Sequence, residues 1–179
     1  MAKFLGIVAM KYGANMSNPV WLDKAMTYIG QREIPGKQNN PVILRWWTEI
    51  RAPFTDDETP YCAAGVGGVL EECGIRSSRS AAARSYLTWG QKLDGPCVGA
   101  IVVFERGPTH GHVGIVAGRD TRANLMVWGA NQRNAVNIMP FPLHRVLGYR
   151  YPPGFPLPLT GMGTLPTLLS RDQVSSNEA

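Results

Sequence analysis

One cysteine of this chain stands where a helix is predicted to begin. In the stretch TPYCAAGVGGVLEECG, residues 59–74, Thr59 suits the N-cap position, Pro60 suits the first helical position and Gly74 suits the end. Cys62 then falls near the third helical position, where free backbone N–H groups and the positive end of the helix dipole face its sulfur. This environment favours the thiolate, which is the nucleophilic form of cysteine.

A histidine and an amide follow the cysteine in the order that a cysteine hydrolase uses. His112 opens the apolar, strand-like run GHVGIV, 50 residues after Cys62, and Asn131 lies in WGANQ, 19 residues further on. We therefore expect Cys62 to be the nucleophile and His112 to be the general base. Asn131 is expected to fix the tautomer and plane of the imidazole, with Gln132 as the alternative.

These residues also have purely structural interpretations. An isolated cysteine is usually a small buried residue, and asparagine in a glycine-rich segment usually forms a turn. His110 is the rival base, because residues two apart on a strand point the same way. It stands before Gly111 in PTHG, however, and is expected in the loop. Cys73 and Cys97 are interpreted as small buried residues.

Candidate substrate contacts flank the predicted catalytic residues. Asp57 lies in the acidic segment 51–58 before the cysteine helix and could bind an ammonium group, with a solvated acidic loop as the equal alternative. Trp89 and Gln132 are weaker candidates, and core packing is the stronger expectation for Trp89. No metal site is predicted, since cysteine and histidine lack zinc-ligand spacing and no DxDxD calcium pattern is present. No cofactor is expected.

Length and composition limit the class of protein. The chain has 179 residues, 44% of them hydrophobic, which suits one globular domain with a real core. Its net charge of +5 comes from scattered basic residues. We interpret it as a mild attraction to anionic polymers or as an ordinary basic surface, and we predict no nucleic-acid partner. No run reaches the ~20 apolar residues of a membrane helix, so no membrane span is predicted.

The order of predicted elements indicates an α+β fold. Helices are predicted after residue 18 or 19, over 42–50, from residue 59 and over 79–88, ahead of any strand. Short β-rich runs follow at 100–105, 112–118, 124–130, 135–139 and 145–151. Helices first and a contiguous antiparallel sheet afterwards favour helices packed on one sheet.

Three segments are predicted from these patterns. Residues 1–18 are an N-terminal arm, for which a cleaved signal peptide is the less favoured alternative. Residues 19–152 form the domain. Residues 153–179, rich in proline and glycine with scattered leucines, are a C-terminal extended arm.

The series TPYCAA, SYLTWG, IVVF, GHVGIV, WGANQ and VLGYRYP resembles the CHAP-like cell-wall hydrolases over roughly residues 19–152. It is most similar to a phage-associated branch of peptidoglycan endopeptidases. The resemblance implies a papain-like fold and a cysteine peptidase or amidase that cleaves a peptide or amide bond of bacterial peptidoglycan. It also implies the roles already given to Cys62, His112 and Asn131.

The chain departs from this family at three places. Such proteins often have an acidic residue where Ala100 stands, and bulky residues in the cysteine helix where this chain has glycines such as Gly65. Many place a glutamate two residues before the amide. Here that position is Gly129, which leaves Asn131 as the orienting residue.

The two arms suggest partners and a location. They would suit contacts with neighbouring subunits in a phage tail tip or baseplate. The expected protein is therefore a hydrolase mounted on the virion, or one held in the host cytoplasm before lysis, that acts on the cell wall. The alternatives are a structural assembly protein with a hydrolase fold, a free endolysin, and a bacterial immune or secretion effector.

Overall fold

The structure, a computed structural model, describes residues 17–169 and 174–175. Apart from its last two residues, the predicted N-terminal arm lies outside these ranges. Three α-helices precede the sheet: α1 (Val20–Met26), α2 (Pro41–Glu49) and α3 (Cys62–Glu72). The strands are β1 (Gln91–Leu93), β2 (Ile101–Arg106), β3 (His110–Arg119), β4 (Leu125–Gly129), β5 (Asn137–Phe141) and β6 (Val146–Tyr151). Short 3₁₀ helices cover Ala83–Thr88, Leu143–Arg145 and Met162–Thr164.

The strands form one antiparallel sheet in the order β1-β6-β2-β3-β4-β5. Two strands separate β2 from β5 in the sheet, yet the rings of Phe104 on β2 and Phe141 on β5 stack with centroids 4.5 Å apart. The sheet is therefore strongly curved. The α+β class is confirmed, and five of the six strands coincide closely with the predicted runs. The curvature brings both phenylalanine rings against the ring of His112 on β3.

The cysteine helix α3 lies between α2 and the sheet. Its residues 62–70 are all buried, so this part of the helix has no solvent face. Small residues make this possible: a Cβ at Gly65 would overlap the Cβ of Ala130, and a Cβ at Gly68 would overlap the indole of Trp46. The helix is therefore closely packed, and its neighbours are an alanine after β4 and a tryptophan of α2.

The predicted helix over residues 79–88 is wrong in its first half. Arg79 has a positive φ of 51°, and the Ser80 hydroxyl accepts a hydrogen bond from the Ala82 backbone N–H at 3.2 Å. These local contacts compete with helical hydrogen bonding, so that only the 3₁₀ helix Ala83–Thr88 forms. The short strand β1 was not predicted, because three residues carry too little pattern.

The C-terminal segment folds back onto the same domain. Leu165 is buried, and Leu168 N donates to Arg119 O at 2.7 Å at the end of β3. Ser175 N donates to Pro140 O at 2.8 Å. Contacts with the domain thus continue beyond the predicted boundary at residue 152. Within the described ranges, no helix is long and apolar enough to cross a membrane.

Candidate active site

Cys62 is the first residue of α3, and its N-cap is Tyr61. The helix therefore begins later than predicted. Thr59 lies before the helix and donates its N–H and its hydroxyl to the Asp56 carboxylate, at 2.6 and 3.2 Å. These hydrogen bonds, the backbone one above all, hold the pKa of Asp56 below its ordinary value. The later start of the helix places Cys62 directly at the helix N-terminus.

The terminus of α3 suits an anionic sulfur. The first intrahelical bond runs from Gly65 N to Tyr61 O at 2.8 Å, so the N–H groups of residues 62–64 lack intrahelical acceptors. No side chain caps this end, and the first turn contains no acidic residue. Cys62 itself is 6% exposed. The helix dipole and these N–H groups therefore favour negative charge at this end of the helix.

His112 is almost completely buried on β3, 1% exposed, between two aromatic rings. Its ring lies parallel to that of Phe141, with centroids 5.3 Å apart and an interplanar angle of 1°. Phe104, its cross-strand partner on β2, stacks at 6.4 Å. The rival His110 is exposed, and its Nδ1 contacts the Thr109 hydroxyl at 3.1 Å. The structure thus favours His112 as the positioned imidazole.

The orienting amide belongs to Gln132. Its Oε1 lies 3.0 Å from His112 Nε2, and its side chain is fully buried. Its Nε2 donates to Asn137 Oδ1 at 2.7 Å and to Asn137 O at 3.0 Å. Asn137 Nδ2 returns a bond to Gln132 O at 2.8 Å. The two amides therefore hold each other in a single orientation.

This interlock determines the tautomer of His112. Because the amide nitrogen of Gln132 faces two carbonyl oxygens of Asn137, the oxygen of Gln132 must face the imidazole. An acceptor at that place requires a hydrogen on His112 Nε2. The neutral ring then presents a basic lone pair at Nδ1, the nitrogen that would exchange a proton with a thiol.

Asn131, the residue expected in this role, does not bond to His112 in the structure. It adopts φ 58°, a left-handed conformation that asparagine tolerates, and its Oδ1 is buried without a hydrogen bond among the described residues. Gly129 explains why Gln132 takes over. A Cβ at Gly129 would overlap Gln132 Oε1, so a glutamate at this position would displace the glutamine from His112.

The cysteine helix packs against the segment that carries the Gln132 network. Gly65 lies one turn after Cys62 and contacts Ala130, the residue that follows Gly129. A Cβ at Gly129 would lie 3.0 Å from His112 Nε2. α3 also packs directly against β3, the strand that carries His112. The structure therefore places the helix of the predicted nucleophile on the strand of the predicted base.

The weaker candidates have other surroundings. Asp57 is completely buried, and its Oδ2 accepts from Ile34 N at 2.9 Å and from Asn40 N at 2.8 Å. Through these two bonds Asp57 holds the loop before α2. Trp89 is half-buried, donates to Arg76 O at 2.9 Å and lines a cleft of about 540 Å³ that contains none of the predicted catalytic residues.

The residues missed from the sequence are Gly129, which leaves room for the amide, and Asn137, which aims it. Among the described residues, no three histidine, cysteine, aspartate or glutamate side chains are grouped so as to hold a metal ion. Neither a scan of known protein-family models nor a search of curated proteins finds a match to this chain.

Proposed function

We propose that this protein is a papain-like cysteine hydrolase that cleaves a peptide or amide bond of bacterial peptidoglycan. The bond between His112 Nε2 and Gln132 Oε1 carries the proposal, because it prepares a basic Nδ1 on the strand against which the Cys62 helix packs. A histidine that served only packing between Phe104 and Phe141 would not need a fixed tautomer. The resemblance to CHAP-like hydrolases supplies the substrate class.

The chemistry is acyl transfer in two steps. His112 Nδ1 takes the proton of the Cys62 thiol, and the thiolate attacks the amide carbonyl to form a C–S bond. The N–H groups at the start of α3 stabilise the resulting oxyanion. The C–N bond breaks as the imidazolium returns its proton to the leaving amine. Water, deprotonated by the same imidazole, then hydrolyses the thioester and restores the thiol.

A second candidate function is assembly into a phage tail or baseplate. Apolar side chains of the C-terminal segment favour it: Leu157 is 53% exposed, Leu159 85% and Leu169 94%. Their burial against another subunit would contribute about 1.5–3 kcal/mol each. The two functions are compatible in a hydrolase mounted on the virion that opens the cell wall during entry.

Mass spectrometry of muropeptides tests the proposed function. Purified peptidoglycan incubated with the protein should release fragments that carry new amino and carboxyl ends at one type of bond. Cys62→Ala should release none, and His112→Ala should slow release by about 10²–10⁴-fold, the usual contribution of a general base.

His110→Ala is the matched control, because it removes an exposed histidine from the same strand. It should digest at nearly the wild-type rate. Release by Cys62→Ala at the wild-type rate, or products cut only at glycosidic bonds, would overturn the proposal.

A further inference from the structure

A cleft of about 580 Å³ opens beside the candidate active site. Its lining carries charges of both signs, Arg32 and Arg133 against Glu33 and Glu58. Ile34, Pro35, Gly36 and Asn134 complete it. A cleft with two cations and two carboxylates suits a small ligand that is itself dipolar, because each charge of the ligand meets a complementary group.

Carboxylates lie close together on the negative side of the cleft. Burial raises the pKa of Glu33 above its ordinary value, and the charges of Asp57 and Glu58 raise it further. The charges of Asp57 and Glu58 therefore disfavour the ionised form of Glu33. A ligand with an ammonium group would relieve this repulsion.

A buried carboxylate oxygen behind the cleft lacks a hydrogen bond among the described residues. Asp57 lies beneath Ile34, whose N–H it accepts, and its Oδ1 has no partner within the described part of the chain. Tyr61 is fully buried nearby: burial above all, and then the charges of Glu33 and Asp57, raise its pKa, while a hydrogen bond with the backbone of Asn131 lowers it. Buried polar groups are normally satisfied, so the unpartnered Asp57 Oδ1 behind Ile34 is consistent with a polar group bound on this side of the cleft.

The cleft adjoins the catalytic residues along the chain. Arg133 and Asn134 directly follow Gln132, and Glu58 precedes Cys62 by four residues. Glu33 N donates to Asn134 O at 3.2 Å, which joins the two sides of the cleft. A peptide with one end in the cleft would thus begin next to the proposed reaction centre.

We propose that this cleft binds an amino-acid head group of the substrate, its ammonium between Glu33 and Glu58 and its carboxylate at Arg32 and Arg133. The inference rests on the proposed function and specifies its substrate. Within a peptidoglycan stem, an ammonium and a carboxylate share one carbon at the side-chain end of a diaminopimelate residue. The site would therefore select stems that contain diaminopimelate with this end free.

Calorimetric titration with Cys62→Ala protein tests the selection without turnover. Three probes differ in one group only: a stem peptide with a free diaminopimelate end, the same peptide acetylated on that amine, and the same peptide amidated on that carboxylate. The free form should bind at least tenfold more tightly than either blocked form.

Variants assign the effect to the cleft. In the Cys62→Ala background, Glu33→Gln and Glu58→Gln should remove the preference for the free amine, and Arg32→Gln the preference for the free carboxylate. Asp94→Asn, which alters an exposed carboxylate in the turn after β1, should retain both. Thermal unfolding of each variant checks that its fold is intact.

The outcomes separate the two proposals. Equal affinities for the three probes, no binding of any probe, or a preference that survives Glu33→Gln and Glu58→Gln would overturn the head-group site even if wild-type protein digests peptidoglycan. Selective binding that depends on Glu33, without digestion by wild-type protein, would uphold the site and overturn the hydrolase.

Discussion

At the scale of single residues, the candidate site depends on how one amide is held. Gln132 could offer either its oxygen or its nitrogen to His112, and a donated N–H would force the opposite tautomer. Asn137 removes this choice because two of its oxygens accept hydrogen bonds from the Gln132 amide nitrogen. The residue that aims the amide therefore matters as much as the residue that touches the imidazole.

Gln132→Ala should lower the rate of peptidoglycan digestion at least about tenfold, because the imidazole loses the acceptor that fixes its tautomer. Asn131→Ala, a neighbouring amide without a bond to His112, should change the rate much less. Digestion rates of the two purified variants decide the point. A larger loss for Asn131→Ala would return the orienting role to Asn131.

The types and order of the catalytic residues could be predicted from sequence, but the choice between adjacent amides could not. It depends on the left-handed backbone at Asn131, which turns the following side chain toward His112, and on the space left by Gly129. Neither the backbone conformation at Asn131 nor the space beside Gly129 can be predicted from residue types alone. The Thr59 cap was predicted wrongly: the helix begins at Cys62, and the Thr59 hydroxyl donates to Asp56 instead.

At the scale of elements, the position of α3 depends on glycines, which have no Cβ atom. Each glycine in a helix interior disfavours the helix by about 1 kcal/mol relative to alanine. Gly65, Gly67 and Gly68 nevertheless stand where a Cβ would overlap Ala130, Ile50 and Trp46, respectively. Close packing of the cysteine helix on the sheet thus outweighs helix propensity.

Gly65→Ala should lower the free energy of unfolding by about 1–3 kcal/mol, because the added methyl must displace Ala130. It should also reduce activity, since Ala130 adjoins the Gly129–Gln132 segment. Gly163→Ala is the control, because open space surrounds that position. Chemical denaturation measures both, and a Gly65→Ala protein as stable as wild type would contradict the packing argument.

The far end of α3 is held by a carboxylate. Glu71 accepts hydrogen bonds from Ser77 N at 3.0 Å and Arg79 Nε at 2.9 Å, and the side-chain bonds of Arg79 are the main cause that lowers its pKa to about 2. A carboxyl with a lowered pKa stabilises the fold above its ordinary pKa of about 4.5. That stabilisation is lost as the pH falls from there through 2.

Glu71→Gln should therefore reduce the free energy of unfolding by about 1–3 kcal/mol at pH 7, the usual contribution of hydrogen bonds to a charged group. The difference from wild type should shrink steadily below pH 4.5. Urea denaturation over this pH range measures it. A difference that stays constant down to pH 2 would show that ionisation of Glu71 is not its source.

At the scale of the whole molecule, the α+β architecture could be predicted because strands alternate clearly after residue 100. The course of the C-terminal segment could not, since its leucines have no period. Their environments differ although their residue type is the same: Leu165 is 4% exposed and packs into the core, while Leu159 is 85% exposed. Long-range packing, and not residue type, distinguishes them.

Leu165→Ala should lower the free energy of unfolding by about 2–5 kcal/mol, as expected for a truncated core leucine. Leu159→Ala should change it by no more than about 0.5 kcal/mol in the isolated protein. Thermal or chemical denaturation compares the two. Equal effects would mean that the C-terminal segment does not stabilise the domain in solution.

The central claim, that Cys62 is an activated nucleophile, is tested most directly by alkylation. Iodoacetamide reacts with thiolates. Burial raises the pKa of Cys97 to about 11 and raises that of Cys73, so both should react slowly at pH 7. Mass spectrometry gives the alkylated fraction of each cysteine while digestion is measured on the same samples. We predict that activity falls in proportion to alkylation of Cys62, with the other two cysteines still unmodified. Full digestion by protein whose Cys62 is completely alkylated would contradict the account.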